Sequence, residues 1–238
     1  MAQQEKTVNA KEVSKKPSLT LELNAGYSMA LGQYSQWDRD NGRSGYAASG
    51  WLAQFTVDWM GKKSFGVALQ YTFQRNPLRD TASNVVPYGM TYPLGTGAWT
   101  NHYLMIGPVY LKDFHHLHVD AKFLFGAMIS SSAVFNVTDP VTLQNVKDVG
   151  MGLALQLSAG AGYTFSSHFA LKFNLGYLAG WPVKKKIYGQ QILRYDEIID
   201  PKSGMVIGYV PVYSAAVTYE IRKVISTLNP SAGLVYRF

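Results

Sequence analysis

The chain has 238 residues, of which 47% are apolar and only 16% charged, against about 25% charged in an ordinary soluble domain. Its 22 glycines and 13% aromatic content exclude a disordered chain or a coiled coil. The absence of cysteine excludes a disulfide scaffold, a thiolate metal site and a cysteine nucleophile. A net charge of +7 would suit nucleic acid or an acidic membrane surface, and no apolar run approaches the roughly 20 residues of a membrane-spanning helix.

Residues 1–17 read as a polar, flexible leader with Lys6, Lys11, Glu12, Lys15 and Lys16 before Pro17. They lack the apolar stretch of a secretory signal. Either the chain is cytosolic or a signal was removed ahead of it; the strands that follow favour removal. From Ser18 the sequence alternates with period 2, as strands with two different faces do. Residues 19–31 set Leu19, Leu21, Leu23, Ala25, Tyr27, Met29 and Leu31 against Thr20, Glu22, Asn24, Gly26, Ser28 and Ala30. The pattern recurs at 51–59 and 65–73, is blurred at 99–112 by Gly107 and Pro108, and returns at 117–129, 151–165 and 169–181. Beyond it come 187–198, a turn at Asp200–Gly204, and alternating runs at 206–221 and 224–238.

A soluble β-sandwich also alternates, but its strands average about 5–6 residues and hide their apolar face. The runs here reach about 10–15 residues, enough to cross a bilayer at a tilt. Their polar faces are unusually small, with Gly26, Gly66, Gly126, Gly152, Gly160, Gly162 and Gly176. Small residues suit the concave inside of a closed barrel, and large apolar ones suit lipid. Aromatics near strand ends (Tyr27, Trp51, Trp59, Phe65, Phe73, Trp99, Phe165, Phe169, Trp181) match the girdles of a membrane barrel. The expected fold is all-β, an antiparallel up-and-down transmembrane barrel over residues 18–238.

The connections agree. Links at 33–46, 76–98 and 131–148 are long, whereas Gly61–Ser64, Asp113–His116 and Ser166–His168 are short. Outer-membrane barrels pair short periplasmic turns with long outer loops, which would put both chain ends in the periplasm. Nine strands are apparent, and single-chain bacterial barrels have even numbers. The count is therefore eight or ten, and the tight Asp200–Gly204 turn leans it to ten, with 187–198 as the extra strand.

The chain ends Gly233-Leu234-Val235-Tyr236-Arg237-Phe238, an alternating strand closed by phenylalanine. This resembles the C-terminal signature of bacterial outer-membrane β-barrels that their insertion machinery recognises. Together with Ala2-Gln3-Gln4 near the start, the Tyr-Arg-Phe ending is similar to the small outer-membrane barrel family of Bacteroidetes-type bacteria. The resemblance implies outer-membrane insertion through the barrel-assembly machinery, with lipid bilayer and lipopolysaccharide as surroundings. Members of that family differ in function, so the resemblance carries over no site residue.

Strand parity sends few charges inward: Glu22, Asp58, Asp120, Lys122, Lys172, Glu220 and Arg237. Most fall near the short-turn ends of their strands, Glu220 being the exception in a ten-strand barrel. Four acids and three bases in a narrow lumen should pair, because an isolated buried charge is costly. The expectation is a salt-bridged plug low in the lumen, with more room above it beside Gly26, Ser28, Gly126, Gly152 and Ala154. That arrangement would be either a filled barrel or a blind pocket opening outward. A water-filled porin needs about 16 strands, more than the eight or ten read here, which disfavours an open porin.

Enzyme chemistry finds weak support. His115, His116 and His118 cluster at a short turn without a completing carboxylate. Ser166-Ser167-His168 is explained by its turn, and no deacylase-like His-x-Ser-Asn pattern is present. Asn136-Val137-Thr138 fits a glycosylation sequon, although a bacterial outer loop gives it no role. No cofactor or metal is implied. Lys62, Lys63 and Lys184–Lys186 flank the apolar band, where lipid phosphate accounts for them; no basic, aromatic groove suggests nucleic acid. The long loops carry Tyr88, Tyr92, Tyr188 and Tyr195, candidates for a protein-contact surface. The sequence thus favours a membrane anchor or contact surface, ahead of a narrow channel or small-molecule pocket and a lipid-modifying enzyme.

Overall fold

The computed structural model describes residues 18–36, 45–61, 64–79, 83–85, 91–93, 95–132, 134–138, 143–146, 149–189, 192–213 and 217–238. The leader at 1–17 lies outside them, as do Tyr88, Lys62 and Lys63. The chain enters as β1 (Ser18–Leu31), makes one helical turn, α1 (Gly32–Ser35), and returns as β2 (Gly50–Met60). After β3 (Phe65–Pro77) come three short strands, β4 (Ser83–Val85), β5 (Thr91–Pro93) and β6 (Gly95–Thr96). Then follow β7 (Ala98–Phe114), β8 (Leu117–Ser131), β9 (Val134–Thr138), β10 (Leu143–Val146), β11 (Val149–Thr164) and β12 (Phe169–Gly189). A hairpin, β13 (Ile192–Ile199) and β14 (Val206–Tyr213), precedes β15 (Val217–Arg237).

Eight of these close on themselves in the order β1-β15-β12-β11-β8-β7-β3-β2, each antiparallel to its neighbours. β1 pairs on one side with β2, Leu21 opposite Val57, and on the other with β15, Leu21 opposite Tyr236. Closure leaves no edge in this sheet, the one way a sheet satisfies its backbone in hydrocarbon. Eight is the lower of the two counts the sequence allows. The run 192–213 pairs within itself as the separate β13–β14 hairpin, while β12 and β15 pair directly past a bulge between Gly180 and Val183 and on to Gly189–Val217. β14 ends at Tyr213 and β15 begins at Val217, so Glu220 belongs to the outer end of β15, opposite Lys186.

Period 2 maps onto outside and inside. Leu23, Trp59, Phe125 and Leu153 face outward, Trp59 at 68% exposure, whereas Thr20, Thr56, Gln70 and Thr72 are buried in the lumen. Hydrogen-bonded turns close the short links: the Gly61 N–H donates to the Phe65 carbonyl, and the Phe165 N–H to that of Phe169. His115 turns the third one in the left-handed region at φ 57°. Both the start of β1 and the end of β15 lie at this short-turn end. At the other end β4–β5 and β6–β9–β10 form small sheets.

Two sequence expectations fail here. Trp99 is no girdle residue; it is 1% exposed and turned inward, where its indole N–H donates to the Gly45 carbonyl at 2.9 Å. The upper lumen is not roomy either, because Tyr34, Trp99, Tyr103, Met128, Leu178 and Ile225 pack into it. The small residues on other strands are what make space for them: a methyl group added at Gly180 would strike Met128.

Candidate functional site: a filled lumen and a long-loop end

Three layers fill the barrel from the short-turn end upward. The lowest is ionic. Lys122 on β8 reaches across to β2, its Nζ 2.8 Å from Asp58 Oδ2, and to β1, 3.0 Å from Glu22 Oε2. It also lies 4.0 Å from Asp120 Oδ2. Lys172 on β12 sits 2.6 Å from Glu22 Oε1 and 2.9 Å from Asp120 Oδ1. Glu22 thus bridges both ammonium groups, and five side chains from β1, β2, β8 and β12 make one buried cluster. Period 2 explains it: each residue occupies an inward position low on its own strand, and the narrow bore brings opposite walls within one lysine length. Gly160 is required nearby, since a Cβ there would meet Asp120, Asn174 and Lys172.

The seven inward charges do not all join. Arg237 instead lies beside Asp113 of β7, Nη1 to Oδ1 3.4 Å, both partly exposed at the rim. It is one step too close to the end of β15 to reach the cluster. Glu220 is far above it, near the outer end of the long β12–β15 ribbon.

The middle layer is neutral and polar. Gln70 Nε2 donates across the bore to Gln156 Oε1 at 2.9 Å and to Thr72 Oγ1 at 2.9 Å, while Thr56 donates to Gln70 Oε1. Between this layer and the ions is a void of about 10 Å³, lined by Glu22, Gln70, Lys122, Gln156 and Asn229 among others. That is about the room of a single water molecule. The top layer is aromatic: Tyr34 packs edge-on to Trp99 at 5.7 Å and accepts from Asn101 Nδ2, and the Tyr103 hydroxyl donates to Gln74 Oε1 at 2.9 Å. Gln74 also donates to Ser28, tying β3 to β1.

Sequence reasoning missed this lid. Tyr34 lies in what reads as loop, and β7 is apolar on both faces, so parity could not turn Trp99, Tyr103 and Met105 inward. The available signal was the polar partners at matching height, Gln74 and Asn101.

The remaining candidates disperse. His115 and His116 are exposed at the turn while His118 is buried inside the barrel, so the three share no site. Ser167 Oγ lies 2.7 Å from His168 Nδ1, and Ser166 Oγ accepts from the Phe169 N–H; both are features of the turn itself. Asn136 falls on β9. Of the tyrosines, Tyr92 lies on β5, Tyr188 at the far end of β12, and Tyr195 is exposed on β13. The hairpin turn is ordered by Asp200, whose carboxylate accepts from the Lys202 N–H and, at 2.6 Å, from the Ser203 hydroxyl. Those donors, the Ser203 hydroxyl first, hold the Asp200 carboxyl below the usual carboxylate range.

No family model matches the chain, and no curated protein matches it. Among solved structures it is similar to a major outer membrane protein from Thermus thermophilus, at 14% identity over 94% of this chain and 100% of that one, with a TM-score of 0.56. It is also similar to Neisserial surface protein A, at 11% identity over 92% and 97%, with a TM-score of 0.51. The fold is that of an outer-membrane β-barrel. At such identities the likeness concerns fold alone.

Proposed function

We propose that the protein is an integral outer-membrane barrel, closed to solutes, that acts through its long-loop end as an anchored contact surface. The reading rests on one observation above others: the distribution of polarity is inside out. Large apolar side chains encircle the outside while five charged groups are buried inside, low in the lumen. Only a hydrocarbon surrounding makes that arrangement favourable. The short turns then face the periplasm and the hairpin and small sheets face outward, following the loop asymmetry of such barrels.

Ion pairs, crossed amides and an aromatic cluster at successive heights of the bore support the closed reading. Planar bilayers containing the purified protein should therefore show no steady single-channel current. Sustained openings at neutral pH and moderate voltage would reject the closed lumen and favour the narrow-channel reading. The chain should also need detergent or lipid to stay monodisperse; solubility in plain buffer would reject membrane insertion itself.

A further inference from the structure

We propose that the outer wall of the barrel binds the phosphate of a membrane-lipid headgroup between Arg75 of β3 and His102 of β7, at the long-loop rim. The site rests on the membrane reading, because it needs lipid against this wall.

Parity turns both side chains outward. Gln74 and Asn76 on β3, like Asn101 and Tyr103 on β7, are buried in the lumen, so the residue between each pair faces away from it. Arg75 is exposed and His102 half-buried. Arg75 stands opposite Thr100, and His102 opposite Phe73. The two basic residues are therefore diagonal neighbours on one strand pair, roughly 7–8 Å apart and within reach of a shared ligand. Below them the outer wall is apolar, with Leu104 opposite Tyr71 and Ala127 opposite Leu104.

Two features set this pair apart from an isolated surface charge. The first is depth. Arg75 is opposite Trp51 on its other side, and Trp51 is opposite Tyr27. Trp51, Phe73 and His102 then run ring to ring, with centroids 5.1 Å apart at each step. Tryptophan and tyrosine gather at headgroup level, so the guanidinium stands at the height of lipid phosphate. The second is unused bonding capacity. The Tyr71 hydroxyl lies 2.8 Å from His102 Nδ1, which leaves Nε2 without a partner among the described residues. Arg75 has no ion pair among them either. Lys112, an outward cation at the opposite rim, is by contrast seated over Phe114, 5.0 Å from the ring centre. A phosphate suits the pair, because the guanidinium fork takes two of its oxygens and the imidazole N–H a third. A monoester offers all three, whereas a diester has only two free oxygens.

The test titrates dioctanoyl phosphatidic acid, a phosphomonoester lipid, into the protein in maltoside micelles, which contain no phosphate. Native mass spectrometry counts the lipid retained per chain. Wild type should hold one. Arg75→Gln should weaken retention about tenfold and His102→Phe about threefold, the losses of a charge-assisted and an ordinary hydrogen bond. Lys112→Gln should change nothing. All variants should keep the heat-dependent gel mobility of a folded barrel, because these side chains lie outside the packed lumen. Equimolar dioctanoylglycerol or inorganic phosphate should not displace the lipid, since each offers only one of two linked contacts. Retention indifferent to Arg75→Gln would overturn the proposal, as would an equal loss on Lys112→Gln. Displacement by inorganic phosphate would make this a site for a soluble anion, and displacement by dioctanoylglycerol a groove for chains alone; either overturns the headgroup assignment. A chain that needs detergent yet retains no phosphatidic acid loses this site only, so its failure is separate from failure of the membrane reading.

Discussion

Lys122 shows how one residue organises the lower lumen. Its ammonium is shared by Glu22 and Asp58, so Lys122→Met would leave buried carboxylates without their counter-charge. Breaking a buried pair from one side costs about 3–5 kcal/mol, and the urea midpoint in detergent should fall accordingly. Arg237→Ala is the control: its pair with Asp113 is partly exposed at the rim, a class worth about 0–1 kcal/mol, and the midpoint should barely move. At the opposite end Trp99→Ala removes a fully buried indole and its bond to Gly45; the expected loss is about 3–5 kcal/mol. Asp200 gives a pH dependence outside the barrel. Its folded carboxyl is held below the ordinary value by Ser203 and Lys202, so its contribution is present above that ordinary value and lost as pH falls through the folded one. Protection of the Lys202 amide, relative to its intrinsic exchange rate at each pH, should therefore hold at neutral pH and fall only below about pH 4.

At the level of elements, the hairpin and the barrel are separate sheets. Replacing residues 192–213 by a short Gly/Ser linker should leave the gel mobility and unfolding midpoint of the barrel unchanged; a collapse of either would mean that these strands belong to the closed sheet. The element boundaries were largely legible in the sequence. β1, β2, β3, β8 and β11 fall on clean alternating runs, since one face meets hydrocarbon and the other small polar neighbours. β12 and β15 were harder. Their ribbon bulges after Gly180 and runs on to Gly189–Val217, so the clean alternation stops before the strand does. That is why the runs 206–221 and 224–238 look like two spanning strands when β14 and the outer part of β15 share the first of them.

For the molecule as a whole, the decisive property is which side of the sheet meets apolar surroundings. Phe125 stands outward near the middle of β8 and is 55% exposed. In a water-soluble sandwich, replacing so exposed a phenylalanine by arginine would be nearly neutral. In a membrane barrel Phe125→Arg should cost about 2–4 kcal/mol at the bilayer midplane, measured by reversible unfolding in phospholipid vesicles. The sign and size of that one change separate the two architectures without reference to any function. The filled bore also follows from scale, because an eight-stranded barrel is only wide enough for its own side chains.

The order of residues along the chain determined the alternation, the long and short links, and which charges face inward, because side-chain direction in a strand depends only on parity. Parity says nothing about height or about what stands on the opposite wall. Closure of the sheet decided those: it brought Lys122 to Asp58 and Lys172 to Glu22, left Arg237 at the rim with Asp113, and turned Trp99 inward over Tyr34. Contacts across a barrel join residues far apart in sequence through the stagger of every strand between them, and that stagger exists only once the last strand has paired with the first.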